Sequence, residues 1–299
     1  MNNTFCIVVT FNPDLDHLTK FIEKLDQQFN KVIIVDNSSK DKFFVESLEK
    51  KSSKIKFFLN DDNLGIGKAQ NIGIHWALNQ NASHIAVFDQ DSLIQDDYLE
   101  SLLKEEENLK RLGKQIAAIG PILVDEATGN RIPFFQYGKF KKRRVFLTKE
   151  NTTVECFSLL SSGTLMNRKA VLEVGFYNEE LFLEYVDIEW GARARDLGFL
   201  SYGTSATTLT HNLGDERLHL FSIVIPLHSP LRHYYTMRNG IYMQKMKFVP
   251  FSWKLNDAIR LIRSFILFSI FNPPRLKQVY FMLKGLIHGC KNKMGKYKS

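Results

Sequence analysis

Three things are scarce in this 299-residue chain: cysteine, apolar runs of membrane-spanning length, and acid beyond position 241. The three cysteines, Cys6, Cys156 and Cys290, stand far apart, are odd in number and contain no CxxC pair. That argues against a disulfide framework and a zinc site, and it fits a reducing compartment. No apolar stretch reaches the roughly 18–20 residues that a membrane-spanning helix needs. Met1-Asn2-Asn3-Thr4 leads straight into a strand-like run, with neither a basic n-region nor a signal-peptide core, so a cytoplasmic location is expected. From Tyr242 to Ser299, twelve Lys or Arg face a single acid, Asp257, whereas the first 241 residues carry 28 basic and 31 acidic residues. A near-neutral body thus bears a strongly basic tail, which attracts phosphate on nucleic acid or on an anionic membrane surface.

What is present is the composition of a soluble globular protein, 44% hydrophobic and 24% charged. The length suits one large α/β domain or two small ones. Phe5–Thr10 is a continuous apolar run, as in a strand buried on both faces of a parallel sheet. Asn12-Pro13-Asp14 breaks it. Leu15, Leu18, Ile22, Leu25 and Phe29 then recur at spacings of three and four, the stripe of an amphipathic helix. Buried strands follow at 32–35 and 55–59, helices around 43–50 and 68–79, and a fourth strand at 85–88. This alternation predicts right-handed βαβ units and a doubly wound, mostly parallel sheet with helices on both faces.

Such sheets bind ligands beyond the carboxyl ends of their strands. Thr10-Phe11-Asn12, Asp36-Asn37 and Asp89-Gln90-Asp91 stand there. If the extended backbone persists past Asp89, the period of two points Asp89 and Asp91 the same way. Two such carboxylates can share Mg²⁺ or Mn²⁺ with a substrate phosphate; taken alone, the same residues also read as an acidic turn. Gly65-Ile66-Gly67 either lets backbone approach a nucleotide or serves a steric need in a strand-to-helix loop.

Farther on, a charged helix is expected over 102–112 and a fifth strand over 116–120. Residues 125–155 read as irregular, and the five cations of Lys139–Arg144 as a solvated loop. Ser161-Ser162-Gly163 makes a small-residue turn before a short helix at 169–174. Asp187 and Glu189 then open the helix that contains Arg193–Leu197. Carboxylates suit a helix N-terminus electrostatically, and they also suit a catalytic base. His211, at the end of a strand over 201–209, is either a structural hydrogen-bonder or a metal ligand. Arg232 and Arg238 lie six apart on one helix and so need not serve one ligand. In the tail, Leu255, Ile259, Ile262, Ile266 and Ile270 oppose a polar stripe of Lys254, Asp257, Arg260 and Ser264. A second basic helix follows Asn272-Pro273-Pro274. Such helices suit a membrane surface, and equally the body or a partner.

The motifs over residues 5–240 stand in a telling order. They are Val8-Val9-Thr10-Phe11-Asn12, Val35-Asp36-Asn37, Asn63-Leu64-Gly65 through Asn71-Ile72-Gly73, Phe88-Asp89-Gln90-Asp91, Ser162-Gly163, Tyr185-Val186-Asp187-Ile188-Glu189-Trp190, and Arg232-His233-Tyr234-Tyr235 with Arg238-Asn239. Together they resemble glycosyltransferase family 2, and within it the bacterial rhamnosyltransferases of cell-surface polysaccharide synthesis. The resemblance implies an α/β GT-A domain over 1–241, with 242–299 as a membrane-associating helical tail. It also implies inverting, metal-dependent transfer of a hexose. The favoured donor is dTDP-L-rhamnose, another UDP- or dTDP-sugar being the alternative. The acceptor would be a polyprenyl-diphosphate-linked glycan of O-antigen, capsule or cell-wall synthesis, at the inner face of the plasma membrane.

Residue by residue, the resemblance implies that Thr10, Asn12, Asp36 and Asn63 hold the nucleoside, with Asn71 nearby. Asp91 would ligate Mn²⁺ or Mg²⁺, Asp89 would contact ribose or metal, and His211 would be a further ligand. Arg238 would face the diphosphate and Asp187 would be the general base. Many family members carry Glu-Asp where this chain has Val186-Asp187, which leaves Glu184 or Glu189 to share the basic role. An oligomer is compatible with the sequence. Two rivals predict otherwise: a nucleic-acid binder would show steeply salt-dependent affinity, and a non-catalytic nucleotide-sugar binder would not need Asp187.

Overall fold

Apolar runs and amphipathic stripes alternate along the first 111 residues as strands and helices. They are β1 (Thr4–Thr10), α1 (Leu15–Gln28), β2 (Lys31–Asp36), α2 (Phe44–Glu49), β3 (Ile55–Leu59), α3 (Ile66–Asn79), β4 (His84–Asp89), β5 (Ser92–Ile94) and α4 (Tyr98–Arg111). A computed structural model describes residues 3–41, 44–49, 51–139, 141–148, 152–211, 216–220 and 223–298. The chain continues through β6 (Ile116–Asp125), β7 (Phe134–Tyr137), β8 (Lys142–Val145), β9 (Thr153–Cys156), β10 (Thr164–Asn167), α5 (Arg168–Val174), α6 (Val186–Asp196) and β11 (Leu200–His211). A hairpin of β12 (Glu216–Leu220) and β13 (Ile223–Leu227) precedes α7 (Pro230–Lys245), α8 (Phe251–Phe271) and α9 (Arg275–Cys290).

The main sheet runs β3-β2-β1-β4-β10-β6-β11-β5, with β9 pairing β11. Strands β3, β2, β1 and β4 are mutually parallel, while β10 is antiparallel to both its neighbours. Alternate side chains of β1 feed two cores. Cys6 and Val8 pack with Leu18 and Phe21 of α1 and Leu102 of α4 on one face. Phe5, Ile7 and Val9 pack with Ile74 of α3, Val171 of α5 and Trp190 of α6 on the other. The expected doubly wound, mostly parallel α/β sheet is therefore present. Cys6 and Cys156 are buried free thiols and Cys290 an exposed one.

Four expectations need correction. Gln90 and Asp91 form a turn between β4 and β5, so the extended backbone stops at Asp89 and the period of two does not align the carboxylates. The fifth strand runs past Pro121 to Asp125, because the β6–β11 ladder slips there. Gly203 pairs Gly120 and Thr208 pairs Ile122, so the missing proline N–H falls within an irregularity. The cationic stretch after 138 is no loop throughout: Lys142–Val145 is a strand in an antiparallel hairpin with Phe134–Tyr137. The expected boundary at 241/242 falls inside α7.

The tail helices pack on α7 through Met237, Leu261 and Met282, and Gly285 and Gly289 of α9 lie directly on the α7 backbone at Tyr234 and Arg238. Helix α8 turns Trp253, Asp257 and Leu261 inward. Its stripe of Leu255, Ile259, Ile262, Ile266 and Ile270 is 42–62% exposed. Leu276, Tyr280, Leu283 and Ile287 extend the apolar surface along α9. Among the described residues no helix is long and apolar enough to cross a membrane.

Gly65 caps α3 at φ 85°, ψ 163°, a region that is essentially glycine-only. A Cβ there would lie 2.5 Å from the Phe182 carbonyl oxygen, to which the Ile66 N–H donates at 2.8 Å. The glycine therefore serves close packing between two protein segments. Gly65→Ala should cost about 3 kcal/mol in urea unfolding, from backbone strain plus the clash. Gly113→Ala, also at positive φ but facing open space, should cost only about 1 kcal/mol.

Candidate active site

The parallel register brings the strand ends together, Thr10 beside Asp36 and Val9 beside Asp89. Asp36 is fully buried and its oxygens serve its own chain. Thr10 Oγ1 donates to Oδ2 at 2.9 Å, Ser39 Oγ donates to the same oxygen, and the Ser39 N–H donates to Oδ1 at 2.8 Å. Asn12 joins this lattice: its N–H donates to Ser39 Oγ at 2.7 Å, and its Oδ1 accepts from the Lys40 N–H at 3.0 Å. Asn63 Oδ1 accepts from Asn37 Nδ2 at 3.1 Å and from the Gly65 N–H at 3.0 Å. Thr10, Asn12, Asp36 and Asn63 thus line one polar floor, with Asp36 as its internal anchor.

Asn71 does not join them. Its buried amide accepts from the Tyr177 N–H at 3.0 Å and donates to the Tyr177 carbonyl at 2.9 Å, clamping α3 to the segment before α6.

The acids meet through two serines. The Asp89 N–H donates to Ser162 Oγ at 3.3 Å, and the Ser161 N–H donates to Asp187 Oδ2 at 3.3 Å. Ser162 Oγ lies 2.5 Å from Ser92 Oγ, just after Asp91. Gln90 ties the turn to β1, accepting from the Phe11 N–H at 2.7 Å and donating to the Phe11 carbonyl. Burial, chiefly, with the nearby Glu184 and Asp89 carboxylates, raises the Asp187 pKa to about 6; the Ile188 and Ser161 N–H groups oppose the rise. A carboxylate so placed is ionised at neutral pH yet more basic than an ordinary Asp. His211 ends β11 opposite Ser92 in the backbone register; its side chain lies outside the described residues. Among those residues no group of three His, Cys, Asp or Glu converges on a metal position.

The loop that delivers Asp187 is strained. Phe182, Glu184 and Tyr185 have φ of 61°, 64° and 66°, a conformation that non-glycine residues hold only when surroundings impose it. Helix α7 does so. Asn239 Nδ2 spans the carbonyls of Leu181, Leu183 and Glu184 at 2.6–3.0 Å. Arg238 donates to the Glu180, Leu181 and Gly295 carbonyls. Arg238 is fully buried, so it braces the loop and does not present itself to a diphosphate, contrary to the sequence expectation. Glu184 pairs with Arg232 at 2.5 Å, and buried Glu189 pairs with Arg193 through both oxygens at 2.9 Å. Both alternative bases are therefore engaged, and Asp187 stands as the candidate. From α8, Asp257 accepts from the Tyr185 hydroxyl at 3.0 Å and pairs with Arg260 at 2.8 Å.

A model of glycosyl transferase family 2 matches residues 5–175. The dTDP-rhamnosyl transferase RfbF of Shigella flexneri is 31% identical over 86% of this chain and 85% of its own. The chain belongs to glycosyltransferase family 2. Among solved structures, S. aureus TarS 1-349 in complex with UDP-GlcNAc superposes with a TM-score of 0.59 at 15% identity, covering 96% of this chain and 81% of that one. GalNAc-T7 with UDP, GalNAc and Mn²⁺ gives 0.59 at 13% identity; 94% of this chain is covered, but only 58% of GalNAc-T7. These likenesses show the fold, and the protein is a glycosyltransferase.

For this glycosyltransferase the family-model match ends twelve residues before Asp187, where the bracing of the loop begins to matter. Sequence reasoning missed Asn239, Tyr185 and Asp257 as supports of the loop that carries the candidate base. A bulky Phe-Leu-Glu-Tyr run before an acidic helix start carries no sign of left-handed backbone. Asn239→Ala removes the donor to three carbonyls and should cost about 2–4 kcal/mol in denaturant unfolding. Asn239→Asp, which sets an acceptor against those acceptors, should cost more.

Proposed function

We propose that this glycosyltransferase is an inverting rhamnosyltransferase. It moves L-rhamnose from dTDP-L-rhamnose to a polyprenyl-diphosphate-linked glycan of O-antigen, capsule or cell-wall synthesis. The observation that carries the reading is the meeting of Asp187 and Asp89 across the Ser161-Ser162 bridge, and the likeness to RfbF supports the donor. Asn12 and Asn63, backed by the buried Thr10 and Asp36, receive the nucleoside. Asp187 accepts the proton of the acceptor hydroxyl as that oxygen attacks the anomeric carbon, and the nucleoside diphosphate leaves from the opposite face. Burial, chiefly, with Glu184 and Asp89 adding to it, holds the Asp187 pKa up, so the base stays strong without a second carboxylate taking part.

Asp89 and Asp91 offer hard oxygen donors at a strand end, which fits Mn²⁺ or Mg²⁺. With fewer than three converging protein ligands described, the remaining positions suit water and substrate phosphate. Asp91 and Asp89, with His211 as a third candidate, would hold the ion, which when bound neutralises charge on the departing diphosphate. The exposed apolar stripes of α8 and α9, with the basic tail around them, would rest on the anionic inner face of the plasma membrane.

A panel of nucleotide sugars should show Mn²⁺- or Mg²⁺-dependent hydrolysis of dTDP-L-rhamnose above other donors, abolished by EDTA. Preference for another UDP- or dTDP-sugar would replace the donor, and no turnover of any would reject the reading. Asp187→Asn should lower transfer by about 10³-fold or more. Because ionising Asp187 in its folded surroundings is unfavourable, the same change should stabilise the fold at neutral pH by roughly 1–3 kcal/mol. With a base of pKa about 6, kcat/KM should be flat above that pH and fall tenfold per unit below it. Ile262→Asp with Ile266→Asp should abolish flotation with liposomes that contain phosphatidylglycerol.

A further inference from the structure

Beside the Asp187 helix lies a groove of about 540 Å³ that none of the roles above uses. One wall is the β7–β8 hairpin, where the strand period turns Phe135, Tyr137, Lys142 and Arg144 into it. They form two cross-strand pairs, Phe135 with Arg144 and Tyr137 with Lys142. Lys142 Nζ stands 3.9 Å from the Phe135 ring centroid. The opposite wall is α8, which adds Trp253, Arg260 and Arg263, and Ile188 at the groove's edge is the residue after Asp187.

The charges in this groove do not balance. Its one acid, Asp257, is taken up by Arg260 and Tyr185. Lys142, Arg144 and Arg263 form no ion pair among the described residues. Burial, chiefly, with the Arg144 and Arg260 guanidiniums, pushes the Lys142 pKa down, while Asp257 opposes the shift. The groove also opens onto the exposed stripe of α8, because Ile259 belongs to both.

We propose that this groove seats the head of the lipid-linked acceptor: Lys142, Arg144 and Arg263 take its diphosphate while its polyprenyl chain lies along the exposed α8 stripe. The proposal rests on the acceptor class given under Proposed function. Three unpaired cations supply the charge complementarity. The aromatic walls offer flat apolar faces to the sugar and the first isoprene units, and the adjacent stripe accepts the remaining chain. The sugar hydroxyl beyond the diphosphate would then reach toward Asp187, past Ile188.

The test is binding of farnesyl diphosphate to the full chain, with the donor site filled by saturating dTDP and Mn²⁺. Tight binding is expected, with farnesol and inorganic diphosphate each at least tenfold weaker, since both ends of the ligand are read. Lys142→Gln with Arg144→Gln and Arg263→Gln should weaken farnesyl diphosphate by tenfold or more. Lys142→Arg with Arg144→Lys and Arg263→Lys should restore most of it, which separates lost charge from lost fold. Three results would overturn the proposal. They are equal binding by the Gln variant, inorganic diphosphate binding as tightly as the farnesyl compound, and no binding of farnesyl diphosphate to the unaltered chain. Failure of dTDP to bind the unaltered chain would instead count against the donor reading.

Discussion

The arrangement of this active site depends on one brace. Between Leu181 and Tyr185 the backbone enters the left-handed region three times without a glycine, at an intrinsic cost of about 1–3 kcal/mol for each residue. Asn239 and Arg238 offset that cost by holding successive carbonyls of the loop. A side-chain amide and a guanidinium are suited to this, because each presents several donors from one rigid plane. The outcome is a helix that begins at Val186 with Asp187 in its first turn, aimed at the Ser161-Ser162 bridge. Had the loop relaxed to right-handed backbone, α6 would start in another direction and the acids would not meet.

The brace also makes the C-terminal helices part of the catalytic domain. Helix α7 supplies Arg238 and Asn239, α8 anchors Tyr185 through Asp257, and the segment after α9 receives Arg238 at Gly295. Helix α8, for which membrane, body and partner were all open in the sequence, buries an acid and a tryptophan against the body. Its apolar stripe stays exposed. That burial has a physical reason: Asp257 accepts from the Tyr185 hydroxyl of the strained loop, which an apolar face would not do. The surface left outward is one on which water is a poor solvent, and the cationic groove opens at its edge.

The sheet was legible because it is local. Continuous apolar runs at 5–10, 32–35 and 85–88 can be buried only as central strands, and the three-four spacing of Leu15 through Phe29 admits only a helix. Asp187 was legible as an acid at a helix start. The β7–β8 hairpin was hidden because β8 carries three successive cations on an open surface, where no hydrophobic alternation marks the period. The bracing roles of Arg238 and Asn71 were hidden for a related reason. A polar side chain in a familiar motif looks the same in sequence whether it meets a ligand or a buried carbonyl.

What the sequence by itself determined is the family, the doubly wound sheet, and the polar residues at the strand ends, since each follows from a pattern spanning a few neighbouring residues. Only the tertiary structure decided which of those residues are buried in bonds to their own chain, as Asp36 is. It decided as well that Glu184 and Glu189 are spent on Arg232 and Arg193, while Asp187 forms no such ion pair among the described residues. Those outcomes depend on contacts between segments tens of residues apart, and on burial that shifts a carboxylate's affinity for its proton. Neither is written in local spacing.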